Sequence, residues 1–223
     1  MSNFFRTLKQ LTSPGGIEGF VAIKYAEFVK NSQLMSNLYK DLATKAASEI
    51  QKGKILEVGP GPGFLAIAMA LLSPELQVTG LDISETMIEI ATNNVKEYSV
   101  SERIEFKKGD ASKMPFEDSV FDFVISSGSL HHWKEPIKVF NEIHRVLKEG
   151  RKALVSDPRK DTPKEQIEAW AKNIDSKFMR WGLRKSFKEG YTAQEIENLI
   201  KDTKFTDFKI NIEDIGLEIW LTK

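Results

Sequence analysis

The chain has no cysteine. A disulfide framework, a thiolate metal site and a cysteine nucleophile are thereby excluded. Histidine is scarce, at three residues, so no metal site is expected. Net charge is absent too. Lys+Arg and Asp+Glu both number 32 in 223 residues. That is a poor footprint for a protein that must hold long nucleic acid, where affinity comes largely from phosphate neutralisation. Long apolar runs are missing. The longest, Phe64 to Leu72, is too short to cross a bilayer. The first residues, Met1-Ser2-Asn3-Phe4-Phe5-Arg6, lack the basic end, apolar core and small-residue cleavage site of a signal peptide. These absences lead us to expect a soluble cytoplasmic protein. The length suits one α/β domain with a full core.

What is present is organised around Ile55 to Phe64, ILEVGPGPGF. A short apolar run reads as a strand, three alternating glycines break it, and Phe64 to Leu72 reads as a buried helix. Strand, glycine turn and helix together bring a ligand against bare backbone and a helix N-terminus. Pro60 and Pro62 remove two N–H groups, so donors for a ligand would come from Gly59, Gly61, Gly63 and Phe64.

Before this stretch lie about fifty residues of helical pattern, over Met1–Leu11, Ile17–Lys30 and Gln33–Ile50. They read either as a layer covering a sheet or as a lid hinged at Gly15-Gly16. From Lys54 onward strands and helices alternate. Strands are expected at Lys54–Val58, Leu76–Asp82, Arg103–Lys107, Val120–Ser126 and Lys152–Ser156. Helices are expected at Ser84–Tyr98 and Glu135–Leu147, the latter with Ile137, Phe140, Ile143 or His144, and Leu147 inward. The rhythm then changes. Thr162–Ser186 is amphipathic, and Thr192-Ala193-Gln194-Glu195 is a capping box. Phe205–Ile212 and Leu217–Leu221 read as a hairpin. The fold class is α/β: a Rossmann-like, doubly wound, seven-stranded sheet, mostly parallel, with a C-terminal antiparallel hairpin and helices on both faces.

The glycines alone fit two ligands, because Gly61-x-Gly63-x-x-Ala66 with Asp82 about twenty residues on also satisfies a loose dinucleotide fingerprint. Asp82, at the end of the second strand, suits a ribose diol and otherwise reads as a helix cap. Ile83 and Met87 would give apolar surface beside it, or simply core. Asp110 and Ala111, after the third strand, suit an adenine edge or a loop cap, with Met114 beside them. Small residues Ser126 to Ser129 leave room at the fourth strand's end. His131, His132 and Asp157 are the candidate general bases. Two adjacent histidines are not expected to face one site on a regular element. Trp133 reads as packing.

Glu57-x-Gly59-x-Gly61-x-Gly63, Asp82, Gly109-Asp110-Ala111 and Ser127 to Trp133, in this order, resemble class I S-adenosylmethionine-dependent methyltransferases. The likeness is greatest to the small-molecule group with the ubiquinone and menaquinone C-methyltransferases, and it spans about Lys54 to Asp157. It implies S-adenosylmethionine as cofactor and S-adenosylhomocysteine as product. It implies Glu57 for the methionine amino group, Gly59, Gly61 and Gly63 along the methionine, and Asp82 for the ribose. Asp110 and Ala111 would meet the adenine, and Ser127 the transferred methyl. The terminal hairpin matches that family's reversed last strand. One unit is expected over 1–223: a helical cap (1–50), a cofactor core (51–157), a helical insert (158–190), and a last helix with hairpin (191–223). Trp170, Phe178, Met179 and Trp181 of the insert read as a roof over an apolar substrate or, for at least two of them, as packing of a helix on its neighbours. Methyl transfer to RNA or protein and a non-catalytic cofactor-binding module remain alternatives. A dehydrogenase is disfavoured by Glu57, Asp110 and the hairpin. The position after strand four reads Ser126-Ser127-Gly128-Ser129 rather than the Asn/Asp-Pro-Pro-aromatic segment of base-amino methylation.

Overall fold

A computed structural model describes residues 16–214 and 216–223 of the chain. The expected helix at Met1–Leu11, and Gly15 of the expected hinge, lie outside the described residues. Two helices come first, α1 (Gly19–Asn31) and α2 (Gln33–Glu49), with the Ser32 hydroxyl capping α2 by accepting from Met35 N–H. Then come β1 (Gly53–Val58), α3 (Phe64–Leu72), β2 (Leu76–Asp82), α4 (Glu85–Glu97), β3 (Ile104–Lys108) and β4 (Phe121–Ser127). A 3₁₀ turn (Leu130–His132), α5 (Pro136–Val146) and β5 (Leu147–Pro158) follow. The chain finishes with α6 (Lys164–Ala171), α7 (Lys177–Glu189), α8 (Ala193–Lys201), β6 (Asp207–Ile212) and β7 (Gly216–Thr222).

The strands make one sheet in the order β3-β2-β1-β4-β5-β7-β6. β1 to β5 are parallel, and β7 inserts antiparallel between β5 and β6. Strand alternation explains the two cores. Ile55, Phe123 and Leu154 enter a core under α2 and α3, while Leu56, Val124 and Val155 enter another with residues of α5 and α8. Adjacent residues thus serve opposite layers, which is why these strands read as continuous apolar runs. Thr192 and Glu195 form the expected reciprocal capping box at the start of α8.

Several boundaries differ from the sequence expectations. β5 is longer than Lys152–Ser156, because the pairing resumes at Leu147 after a bulge opposite β4. Gly150, at a left-handed φ of +68°, turns the chain within it. The amphipathic span at 162–186 is two helices. Of the side chains expected inward here, Phe140, Ile143 and Leu147 are buried and Ile137 is exposed, with Val139 and Val146 buried beside them. α3 is buried only over its first two turns, since Leu71 and Leu72 emerge at its end. Among the described residues, no helix is long and apolar enough to cross a membrane.

Candidate active site

The strand order reverses between β1 and β4, and both run toward the same edge of the sheet. Loops leaving a parallel sheet at such a point diverge and open a crevice. Here the crevice is a cavity of about 530 Å³, floored by the strand ends and roofed by α1, α2, α6 and α7. That volume suits a small-molecule site.

The turn after β1 forms its first wall. Gly59, Gly61 and Gly63 all hold left-handed φ values, +72°, +51° and +80°. Their N–H groups are not offered to a ligand as expected. Gly59 donates to Leu81 O at 2.9 Å, Gly61 to Asp82 Oδ2 at 3.1 Å and Gly63 to Pro60 O at 3.0 Å. The turn is therefore a steric cradle. A Cβ on Gly59 would strike the Ser129 hydroxyl, while one on Gly61 would enter open space near Tyr25. Gly63 stands outside the cavity wall. A Cβ there would lie 2.9 Å from Phe106 and 3.0 Å from the Ala91 methyl, so this glycine permits close packing of α3 against α4 and β3.

Two carboxylates end the central strands. Glu57 is buried on β1, and its Oε2 finds no hydrogen-bond partner among the described residues. Burial pushes its carboxyl up to about 8, against a backbone hydrogen bond from Ala66 and with help from the Asp82 charge. Asp82 accepts from Ser84 N–H at 2.9 Å and Gly61 N–H at 3.1 Å, one bond on each oxygen. Burial raises it to about 6, since those backbone bonds only partly offset desolvation. Asp82 lines the cavity, and a carboxylate oxygen that accepts one bond can accept another. The cap of α4 is Ser84, whose hydroxyl accepts from Met87 N–H, so Asp82 is not spent on that role.

Ile83 and Met87 line the same wall. Asp110 and Ala111 line it from the β3 loop, where Asp110 Oδ1 accepts from both the backbone and hydroxyl of Ser112 at 2.8 Å. These bonds hold the exposed Asp110 carboxyl below its ordinary range. Met114 does not line the cavity; it is buried with Leu81 and Phe121 in the core cluster that Ala111 packs against. Ser127 ends β4 in the cavity floor, opposite Ser156 of β5.

His131 and His132 both line the cavity, contrary to expectation. The 3₁₀ turn that carries them is tight enough to bring their rings to 4.0 Å. His131 Nδ1 lies 2.8 Å from Asp157 Oδ1, and both side chains are about 2% exposed or less. Leu130 N–H donates to Asp157 Oδ2 at 3.0 Å, fixing the carboxylate. His131 Nε2 is buried and has no partner among the described residues. Burial pulls the His131 pKa down, but the Asp157 charge and hydrogen bond outweigh it and raise it. His132, desolvated and facing His131 and Lys185, is pushed down and stays neutral at pH 7. Trp133 packs as expected, edge-on to Phe140, with its indole N–H on Ser129 Oγ at 3.0 Å.

Of the four insert side chains expected as a roof, Trp170, Phe178 and Met179 line the cavity and Trp181 faces outward; Phe187 of the insert lines it too. Among the wall residues that the sequence did not single out are Tyr25 and Tyr39. Tyr25 and Tyr39 are hydrogen-bonded neighbours beside Asp82 and Glu57, and burial raises both phenols. A tyrosine at a helical core position carries no sequence signal that separates it from packing. Among the described residues, no cluster of His, Asp and Glu is arranged to hold a metal ion.

Comparison with known proteins agrees with this arrangement. The methyltransferase-domain family matches residues 50–210. A demethylmenaquinone methyltransferase of Chlorobaculum parvum is 32% identical over 179 residues, covering 77% of this chain and 71% of that one. A 27-O-demethylrifamycin SV methyltransferase of Amycolatopsis mediterranei is 35% identical over 104 residues, covering 47% and 38%. A solved structure from Methanococcus maripaludis, assigned to the S-adenosyl-L-methionine-dependent methyltransferases, superposes with a TM-score of 0.74 at 28% identity, covering 91% of each chain. With the family match spanning most of the chain and the reversed β7 closing the sheet, the chain belongs to the class I S-adenosylmethionine-dependent methyltransferases.

Proposed function

We propose that the chain transfers a methyl group from S-adenosylmethionine to a small, largely apolar acceptor bearing a dissociable proton. The observation that carries this is the pairing, in one cavity, of an unpartnered buried carboxylate at the switch point with a buried histidine–aspartate dyad. Both relatives above are named for small demethyl substrates, which supports a small-molecule acceptor. One working unit over 1–223 carries the activity, with the cap, core, insert and hairpin as its parts. We place it in the cytoplasm and expect no nucleic-acid partner, in keeping with the balanced charge.

The residues fit the cofactor chemically. Glu57 Oε2, buried and unpaired, would take the methionine ammonium. Gly59 and Gly61 leave bare backbone for the methionine chain, and Ser127 lies beside it. Asp82 would accept both ribose hydroxyls, Ile83 and Met87 would flank the nucleoside, and Asp110 with Ala111 would meet the adenine edge. Bound there, S-adenosylmethionine supplies an electrophilic methyl on a sulfonium. The protein's part is alignment and exclusion of water, which account for much of the acceleration in an in-line displacement. Trp170, Phe178 and Met179 keep the acceptor side dry. Asp157, with its second oxygen held by Leu130, fixes His131 in the tautomer that carries hydrogen on Nδ1. Nε2 then has a free lone pair and can take the acceptor's proton. Neutral His132 stacks against it without competing for that proton.

Calorimetry with S-adenosylmethionine and NAD side by side tests the cofactor reading. Binding of the first and not the second is expected, and the reverse would sink it. A transfer assay with labelled S-adenosylmethionine and a panel of apolar hydroxyl, amine and thioether acceptors tests the rest. Turnover of thioethers alone would remove any need for a base.

A further inference from the structure

The nucleoside end of the cavity is closed from outside by a short strap, Gly16-Ile17-Glu18, that precedes α1. Gly16 and Ile17 line the cavity next to Asp82 and Ile83. The approach is close: a Cβ on Gly16 would lie 2.7 Å from Ile83 Cγ2. Any nucleoside entering or leaving past Asp82 and Ile83 meets this strap.

Among the described residues, Glu18 supplies most of the strap's hydrogen bonds. Glu18 Oε1 accepts from Glu85 N–H at 3.0 Å. Its Oε2 accepts from Thr86 N–H at 3.2 Å and from the Thr86 hydroxyl at 2.5 Å. The same Thr86 oxygen accepts from Gly19 N–H at 3.1 Å, and the Ser84 hydroxyl donates to Ile17 O at 2.7 Å. A carboxylate is thus seated on the first turn of α4, where free N–H groups and the helix dipole favour negative charge. Among the described residues, no further side-chain hydrogen bond fastens the strap. Glycines flank it, Gly16 at φ +84° and Gly19 at φ +57°. Nothing lies within 4 Å of a Cβ built on Gly19, so that glycine is explained by backbone conformation alone. A segment bounded by two such residues, and tied down chiefly by one carboxylate with the Ser84 hydroxyl on Ile17 O beside it, can part as a unit.

We infer that Glu18 is the latch of the cofactor site: its bonds to the α4 N-terminus set how fast the nucleoside end exchanges, without its touching the cofactor. This rests on the cofactor reading above. The latch is closed in the free protein, so weakening it speeds entry and exit together. A lost contact to the ligand would speed exit alone.

The test is the association and dissociation rate constants of S-adenosylhomocysteine, measured by surface plasmon resonance on wild type, Glu18→Ala and Thr86→Val. Glu18→Ala is expected to raise both constants about tenfold or more and leave the affinity within about threefold. Thr86→Val, which removes the hydroxyl's bonds to Glu18 and Gly19 and keeps both backbone N–H bonds to Glu18, is expected to raise both by a smaller factor. It carries the test on its own where Glu18→Ala proves too unstable to purify. Unchanged rates in a folded variant overturn the latch, as does a rise in dissociation alone. Failure of the wild type to bind the ligand would instead remove the cofactor reading, and the latch with it.

Discussion

Replacing Glu57 with glutamine should stabilise the free protein while weakening its hold on the cofactor. The Glu57 carboxyl is buried, lacks a partner on Oε2, and titrates near 8 instead of its ordinary 4.5. A folded pKa raised above the unfolded one makes ionisation favour unfolding. Below pH 4.5 both states are protonated and the group has no effect. As pH rises from 4.5 to 8 the unfolded chain releases this proton and the native chain does not, so stability falls throughout that window. At pH 7 the deficit is about 3 kcal/mol, taking roughly 1.36 kcal/mol per pH unit above 4.5. Glutamine keeps the oxygen that accepts from Ala66 and has no charge to desolvate. Its melting temperature at pH 7 should therefore exceed wild type by ~6–12 °C, at about 2–4 °C per kcal/mol for this size. The assay is thermal unfolding of both proteins without ligand at pH 4, 7 and 9. The gap should be near zero at pH 4, open by pH 7 and be largest at pH 9. A gap that does not grow with pH would refute the electrostatic argument. The same variant should bind S-adenosylmethionine at least tenfold more weakly. Wild type should release about one proton on binding at pH 7, read from calorimetry in buffers of different ionisation enthalpy.

Other consequences follow from neighbouring residues. Asp82→Ala should weaken cofactor binding at least tenfold, about 1.4 kcal/mol, the size expected for lost charged hydrogen bonds; an unchanged affinity by calorimetry would take Asp82 out of the site. Gly63→Ala should lower stability by about 1–3 kcal/mol, because the residue needs φ of +80° and its Cβ would crowd Phe106. Its cofactor affinity should hold, since Gly63 does not line the cavity; denaturant titration and calorimetry check the two halves. With only three histidines, NMR titration can follow each one. His131 should titrate above its ordinary 6.5, and Asp157→Asn should bring it below, leaving burial unopposed. The sign for folding follows: the His131–Asp157 pair stabilises below pH 6.5 and loses that contribution as pH rises through the folded value. A His131 signal unmoved by Asp157→Asn would break the dyad.

Much of this site was legible because each cofactor-side residue sits at a strand end, and strand ends are marked locally. Glu57, Asp82 and Asp110 each close an apolar or alternating run, and the parallel sheet brings those ends together. The hairpin was legible for the same reason. The difference between Gly63 and its neighbours was not. All three glycines share a left-handed conformation, but Gly63 is demanded by Phe106 and Ala91, residues 43 and 28 positions away in sequence. The histidine pair was misjudged through its element. Regular spacing would send adjacent side chains apart, and the tight 3₁₀ turn does not. The insert's helices could be seen as amphipathic, yet which aromatic faces inward depends on the break between α6 and α7. That break leaves Trp170 inside and Trp181 outside.

The placement of strain and charge in this site follows one physical logic. Glu57 and Asp82 are buried acids that their own fold does not fully compensate. An apolar pair at these positions would make a more stable sheet. Acids whose charged form the fold does not compensate gain at a switch point only when a cation and a set of hydroxyl donors arrive to complete that form. Asp157 is the contrast. Its two oxygens already have His131 and Leu130, so it needs no ligand and its partner is the group left wanting, with Nε2 buried and bare. The two halves of the cavity are therefore unfinished in opposite senses, one lacking a cation and donors, the other lacking a proton. A methyl donor that is itself cationic fits the first half, and an acceptor that gives up a proton fits the second. An acceptor with no proton to lose would leave His131 unused. Its activity should then be indifferent to His131→Ala, whereas turnover of a phenol or enol should fall by about 10²-fold or more, the usual scale for a general base.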